Sequence, residues 1–291
     1  MELTMPRFIR SVAALLVSLM AAQFASAQST GAARLAENQR FMQLANQPTG
    51  ILVPMYVYPA DIHTNAAYNR LIDLKLEHPT VPVCAIMNPA NGPGEAVDAN
   101  YTKAIDRLQG AGIVALGYVS TAYAERDDAG VKADVKRWQE FYPRTNGVFL
   151  DEMTNDLGAE GEAHIKHYAA LTQFCHEEGF WPVFANPGTG TPGEYFTGRA
   201  ADVIVIHEAA EYPDDTSLKG DYFGGYSDYP PFTRAALVHS QRDWNEEAFK
   251  VMRKYVRWVY VTDDPYENPA DNPWDTLTSH IERTFEALAD D

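Results

Sequence analysis

Short apolar runs recur along the chain and predict its architecture. Eight runs rich in Val, Ile and Leu lie at intervals of about thirty residues, which is the spacing of strand and helix units. The shortest gap, between Ala185 and Val203, predicts a short or irregular fifth helix. Because the runs are continuous rather than alternating, we expect buried parallel strands. The runs are Ile51–Val57, Val81–Met87, Ile113–Val119, Gly147–Leu150, Trp181–Ala185, Val203–His207, Ala235–His239 and Trp258–Val261.

Most of the segments between the runs have a helical pattern. Tyr101–Leu108 places apolar side chains at i, i+3, i+4 and i+7 and is followed by Gly110. Asp243 and Glu246 predict a capping box at the start of another helix. Alternating units of this number predict an α/β fold, a single (β/α)8 TIM barrel. A doubly wound open sheet is the alternative, but no Gly-x-Gly-x-x-Gly fingerprint follows the first strand.

The N-terminus has the pattern of a signal peptide. Two arginines precede an apolar stretch, Val12–Phe24, and Ala25–Ala27 provides small residues for cleavage. We expect residues 1–27 to be removed after Ala27, residues 28–49 to form a leader with a short helix, and residues 50–291 to form the catalytic domain. The protein is therefore predicted to be secreted or periplasmic.

Charge and cysteine content narrow the function further. The net charge of −17 at pH 7 disfavours nucleic acid and anionic membranes as partners, because both require a basic surface. It favours a neutral or cationic substrate, and we expect a monomer. Cys84 and Cys175 are the two cysteines. We expect both to be buried and unpaired, with a disulfide as the alternative.

Carboxylates lie where two predicted strands end. Asp151 and Glu152 follow the fourth run directly, and Glu208 follows the sixth. The active site of a TIM barrel is built from the C-terminal ends of its strands. Glycoside hydrolysis requires one acid to protonate the leaving oxygen and one carboxylate to attack the sugar or activate water. We therefore predict Asp151, Glu152 and Glu208 as catalytic residues of a glycosidase.

Other polar and aromatic residues at strand ends are candidate sugar-binding residues. Simpler explanations exist for some: tyrosines pack in cores, Asn before Pro begins turns, and Asp151 or Glu152 could cap a helix. The candidates are Tyr56, Tyr58, Asn88, Tyr118, Thr121, Asn186, His239 and Asp263.

Other kinds of active site are disfavoured. His164 and His167 lie at i, i+3 on a predicted helix, but the sequence offers no third ligand, so we expect no metal and no cofactor. A metal-dependent deacetylase is disfavoured for the same reason. No Gly-x-Ser-x-Gly elbow is present, which disfavours a serine hydrolase.

Several strings in the chain together resemble the spherulin 4 family over about residues 50–262. Each string is short, and the order and spacing make the resemblance specific. The strings are Gly50–Pro59, Asn88–Pro89 with Gly92–Gly94, Asn100–Tyr101, Leu116–Thr121, Gly147–Glu152 and Asn186–Thr189.

This resemblance implies a (β/α)8 glycoside hydrolase whose characterised relatives cleave within galactosamine-containing exopolysaccharide of fungal biofilms, at α-1,4-linked N-acetylgalactosamine stretches. It places essential acids at Asp151, Glu152 and Glu208. Two departures affect the expected subsites: His207 stands where the family has an aromatic residue, and the segment from Glu211 to Pro231 does not align.

Strand alternation assigns provisional roles to the acids. Phe149 and Asp151 share one face of their strand. If that face is turned into the barrel mouth, Asp151 is the better nucleophile or cation stabiliser, with Glu208 as general acid and base. Glu152 would orient sugar hydroxyls, and the reverse assignment, with Glu152 as the acid, remains open. We predict a retaining, endo-acting enzyme. The alternative function is a non-catalytic carbohydrate-binding surface protein on the same barrel.

Overall fold

Eight parallel strands close into a barrel in the order of the sequence, which confirms the predicted TIM barrel. The computed structural model describes residue 39 and residues 42–43, 45–220, 225–226, 228–268 and 271–289. The strands are β1 Gly50–Met55, β2 Val83–Met87, β3 Val114–Ser120, β4 Gly147–Asp151, β5 Val183–Asn186, β6 Val203–Ala209, β7 Arg234–Val238 and β8 Trp258–Val261.

Helices separate successive strands, as the apolar spacing predicts. The helix after β5 has only five residues, in agreement with the short fifth unit. The helices are α1 Ala66–Glu77, α2 Ala99–Gly110, α3 Asp128–Phe141, α4 Gly158–Glu177, α5 Gly193–Thr197, α6 Asp215–Lys219, α7 Glu246–Tyr255 and α8 Ile281–Ala289.

The predicted capping box before α7 is wrong. The N-cap is Asn245, whose side chain accepts a hydrogen bond from the backbone N–H of Ala248. Glu246 instead accepts a hydrogen bond of 2.8 Å from the indole of Trp244. Asn is as good an N-cap as Asp, and the helix begins at Glu246, two residues later than an N-cap at Asp243 would require.

The N-terminal predictions fall largely outside this description. The predicted signal peptide, residues 1–27, lies outside the described residues, and the described residues 39, 42, 43 and 45 of the predicted leader are helical. The barrel lies within a compact unit, Pro48–Asp291. No helix in the described part of the chain is long and apolar enough to cross a membrane. Cys84 and Cys175 are buried and unpaired, as expected.

Large aromatic side chains fill the barrel below its mouth. The ring of Phe184 meets the edge of Trp258 at 5.4 Å, and Phe149 stacks on Tyr118 at 6.3 Å. Phe149 pairs in register with Phe184, so the interior layer continues from β4 to β5. Two residues further along β4, the same face carries Asp151. The packed interior therefore ends in a carboxylate at the C-terminal edge of the barrel.

Candidate active site

A cavity of about 350 Å³ lies at the C-terminal mouth of the barrel. It contains all three predicted catalytic acids, and none of the ten described residues that line it is Lys or Arg. The lining residues are Tyr123, Asp151, Glu152, Asn186, Gly188, Glu208, His239, Tyr266, Pro273 and Trp274.

The side-chain amide of Asn186 joins two of the acids. Its nitrogen donates to a carboxylate oxygen of Asp151 at 2.9 Å and to one of Glu208 at 2.7 Å. The amide oxygen accepts from the backbone N–H of Gly188, which fixes the orientation of the group. The two acceptor oxygens cannot be further apart than the sum of the two distances, 5.6 Å. With the two N–H bonds of one amide pointing apart, their separation is about 5 Å.

Strand alternation places Asp151 as predicted. Asp151 ends β4 and pairs in register with Ser120 of β3 and Asn186 of β5. Helix α4 begins only at Gly158, so the alternative role of Asp151 as a helix N-cap is wrong. The carboxylate is therefore available for chemistry.

Glu208 faces the barrel interior only because β6 contains an irregularity. Val205 pairs with Ala235 of β7, whereas the next pair is His207 with Ala236, so one residue of β6 is extra. A strand without this bulge would direct His207 inward and Glu208 outward, because side chains alternate. The bulge reverses the alternation, and Glu208 shares the level of Leu237.

Burial changes the proton affinity of both bridged acids. Burial raises the pKa of Asp151, and hydrogen bonds from Tyr118 and Asn186 oppose this rise. Burial and then the charge of Asp151 raise the pKa of Glu208 to about 7, against hydrogen bonds from Asn186 and Trp274. Because the charge of one acid opposes ionisation of the other at about 5 Å, the pair favours a state in which one carboxylate is charged and the other is protonated.

Two tyrosines lie beneath the acids. Tyr56 and Tyr118 meet edge to face at 6.0 Å. Burial, and then the charge of Asp151, raise the pKa of both phenols above the ordinary value. Both hydroxyls therefore stay protonated and can act as hydrogen-bond donors beside the carboxylates.

Glu152 is held in a strained conformation. Its φ of +58° lies in the left-handed region, and its carboxylate accepts a hydrogen bond from the hydroxyl of Ser120. Such a conformation costs roughly 1–2 kcal/mol for a residue with a side chain and is concentrated at functional sites. Glu152 therefore lines the cavity beside Asp151 instead of alternating away from it.

The loop after β3 is bonded to the end of β4. Thr121 and Tyr123 donate their backbone N–H groups to the carbonyls of Asp151 and Glu152, at 2.9 and 2.7 Å. The Thr121 hydroxyl is fully buried and lies within hydrogen-bond distance of the same two carbonyls. Thr121 therefore supports the acids from below, and its predicted direct contact with substrate is wrong.

Three more predicted sugar-binding residues do not line the cavity. Tyr58 donates its hydroxyl to Asp98, and the Asn88 side chain accepts from Gly92 in a turn. Asp263 accepts hydrogen bonds from Ser279 and Thr278 ahead of α8. Local hydrogen bonding explains each position, so the structure gives them supporting roles.

Three aromatic residues of the cavity were not predicted from the sequence. Tyr123 comes from the loop after β3, and Tyr266 and Trp274 come from the long loop after β8. His239, which was predicted, packs edge to face against Tyr266 at 5.7 Å and Trp274 at 5.8 Å. The available signal was aromatic residues in loops after strands, a pattern that many structural tyrosines share.

The His, Cys, Asp and Glu side chains of the described residues do not form a metal site. In the part of the chain that the structure describes, no group of three or more His, Cys, Asp or Glu side chains is arranged to hold a metal ion. His164 lies at 3.0 Å from Asp156, and His167 lies at 3.0 Å from Asp128. The two histidines on α4 therefore have different carboxylate partners.

Solved structures share this architecture. The structure of Sph3 from Aspergillus clavatus in complex with GalNAc has a TM-score of 0.66 at 24% identity, covering 84% of this chain and 99% of that one. A GH18 chitinase from Pseudoalteromonas aurantia has a TM-score of 0.52 at 14% identity, covering 83% of this chain and 99% of the chitinase. These likenesses show a common fold.

Sequence comparison identifies the family. Spherulin-4 of Physarum polycephalum is 29% identical over 183 residues, which are 61% of this chain and 49% of that protein. The chain thus matches about half the length of this relative. The sequence model of spherulation-specific family 4 matches residues 50–288, from the first barrel strand to the last helix. The chain belongs to spherulation-specific family 4.

Proposed function

We propose that this protein is an exported, endo-acting glycoside hydrolase that cleaves N-acetylgalactosamine-containing polysaccharide with retention of configuration. The observation that carries the proposal is the Asn186 amide, which donates to Asp151 and Glu208 from one nitrogen. A structural ion pair would place a cation between two carboxylates. Here a neutral amide holds two acids at the mouth of an open cavity without neutralising either.

The spacing of the acids supports retention. Carboxyl groups in retaining glycosidases are about 5–5.5 Å apart, whereas inverting enzymes need about 6.5–9.5 Å to admit a water molecule. The upper bound of 5.6 Å between the bridged oxygens of Asp151 and Glu208 agrees with the separation in retaining enzymes.

The electrostatics support separate roles for the two acids. Ionised Asp151 attacks the anomeric carbon while protonated Glu208 gives its proton to the leaving oxygen. Glu208 then removes a proton from the water that releases the sugar from Asp151, which restores both groups. A pKa of about 7 suits a group that must both donate and accept a proton. Glu152, oriented by Ser120, is placed to bind sugar hydroxyls.

The proposed substrate follows from family membership and from the GalNAc-bound relative of similar fold. In an α-linked N-acetylgalactosamine, the acetamido group and the leaving group lie on the same side of the ring. The acetamido oxygen therefore cannot attack from behind, and the protein must supply the nucleophile. Export is proposed from the signal-peptide pattern of residues 1–27.

Incubation of the purified protein with α-1,4-linked galactosamine-rich polysaccharide, followed by mass analysis, tests the proposal. We expect a series of internal oligosaccharides from the wild type, also after treatment with a chelator, and none from Glu208→Gln. Binding without cleavage would favour the alternative of a carbohydrate-binding protein. Absence of both would contradict the proposed substrate.

A further inference from the structure

Tyr123 presents an aromatic ring to the cavity from the loop after β3. The residue is 55% exposed and lines the cavity that contains the three acids. Its hydroxyl is within electrostatic reach of all three carboxylates. An exposed ring contributes little to the core, so core packing does not explain its position.

The backbone that carries this ring is unusual. Ala122, Tyr123 and Ala124 have φ values of +47°, +54° and +64°, all in the left-handed region. Side chains disfavour this region, and non-glycine residues enter it mostly one at a time. The turn persists because the Tyr123 N–H donates to the Glu152 carbonyl at 2.7 Å and the Ala122 N–H donates to the Ser120 hydroxyl. The hydrogen bond to Glu152 couples the position of the ring to the acids.

A second exposed tyrosine lines the cavity from another loop. Tyr266 is 48% exposed and comes from the loop after β8, three strands from β3 around the closed barrel. Its N–H is held at 3.0 Å by the hydroxyl of Ser240, which also has a positive φ, +59°. Exposed rings thus rise from two separated parts of the rim.

We propose that Tyr123 stacks on a sugar ring next to the one attacked, with Tyr266 as a second wall, so that the cleft selects polymer over single sugars. This inference rests on the proposed function and names the groups that would bind the chain. The axial 4-hydroxyl of a galacto-configured ring leaves a patch of C–H groups on one face, which fits an aromatic surface. Tyrosine combines that surface with a hydroxyl that remains in water.

Two measurements test the role of Tyr123. The first is the binding of α-1,4-linked N-acetylgalactosamine oligosaccharides by calorimetry in the Glu208→Gln background, and the second is kcat and KM with Glu208 intact. We expect Tyr123→Ala to weaken binding and raise KM by about tenfold, the effect of one aromatic contact, with kcat within about threefold. Tyr123→Phe keeps the ring and should restore both. Tyr58→Ala, an equally exposed tyrosine outside the cavity, is the matched control.

The outcomes separate the two proposals. Cleavage by the wild type with unchanged KM and binding in Tyr123→Ala would overturn the stacking role and leave the proposed function standing. A loss that Tyr123→Phe does not restore would also overturn it, because the hydroxyl would then carry the contact. Absence of cleavage and binding by the wild type would overturn both proposals. If Tyr123→Ala does not fold, Tyr123→Leu, which keeps an apolar side chain without a ring, decides by the same criteria.

Discussion

Glu208 accepts a hydrogen bond of 2.7 Å from the side-chain amide of Asn186, and the same nitrogen donates to Asp151 at 2.9 Å. One neutral group thus sets the distance between the two acids and lowers the proton affinity of both. Asn186 therefore acts as a positioning residue, and its replacement should change the pH dependence of catalysis as well as the rate.

Replacement of Asn186 by Ala should move the whole pH profile of kcat/KM to higher pH. Both carboxylates lose a donor that favours their charged forms, so both pKa values rise. We expect kcat to fall about 10- to 100-fold, because a hydrogen bond to a charged group contributes about 1.5–3 kcal/mol. Asn88→Ala is the control, since that amide serves a turn. If Asn186→Ala lowers kcat but leaves the pH profile of kcat/KM unchanged, the role of Asn186 is only structural.

Replacement of either proposed catalytic acid should abolish most of the hydrolysis. We expect Asp151→Asn, which removes the nucleophile, and Glu208→Gln, which removes the general acid and base, each to lower kcat at least roughly a hundredfold. General acid–base catalysis alone contributes about 10²–10⁴. Circular dichroism should show an unchanged fold. Asp263→Asn, the same chemical change outside the cavity, is the control. Near-wild-type activity of either variant would remove that residue from the mechanism.

Glu208 should make the stability of the protein depend on pH. Its pKa is about 7 in the folded protein against 4.5 ordinarily. The bound proton therefore stabilises the folded state fully below about pH 4.5, and this contribution is lost as the pH rises through 7. The Gln side chain of Glu208→Gln is neutral at every pH, so this variant does not lose stability in this way as the pH rises. Relative to the wild type, Glu208→Gln should therefore be about 2 kcal/mol more stable at pH 8 than it is at pH 5.

Urea unfolding of both proteins at the two pH values measures this difference. Comparison between the two proteins removes the pH dependence of the groups that do not interact with Glu208. An offset between wild type and Glu208→Gln that is the same at pH 5 and pH 8 would mean that burial does not raise the pKa of Glu208.

Asp263 should matter for stability and not for hydrolysis. Its carboxylate accepts from the N–H and hydroxyl of Ser279 and from the hydroxyl of Thr278, which ties the end of β8 to the segment before α8. Asp263→Ala should lower the free energy of unfolding by about 1–2 kcal/mol and leave kcat/KM within about twofold. Lost activity with unchanged stability would instead restore the assignment as a sugar-binding residue.

The sequence was sufficient to predict the barrel and the acids. Apolar runs mark all eight strands because each strand is buried on both faces, and alternation correctly places Asp151 on the same face as Phe149. The same rule fails for Glu208. The inward orientation of that residue depends on the bulge between Val205 and His207, and a bulge in an apolar run leaves no trace in the order of residue types.

The walls of the cavity were less predictable than its floor. Tyr123 depends on three left-handed residues, two of them alanines, which are strong helix formers and give no turn signal. Trp274 lies thirteen residues beyond the end of β8, and its side chain forms a hydrogen bond with Glu208. Asn88 and Asp263 follow strands, and their position alone predicts contact with substrate. In the structure, their side chains instead accept hydrogen bonds from nearby backbone N–H groups.

The stereochemistry of cleavage tests the central claim most directly. Proton NMR of the first-formed reducing ends, recorded before mutarotation, distinguishes two displacements from one. If Asp151 is the nucleophile and Glu208 the acid and base, an α-linked polymer releases the α anomer first. First appearance of the β anomer would mean direct attack by water, which would contradict the double displacement and the role of Asp151.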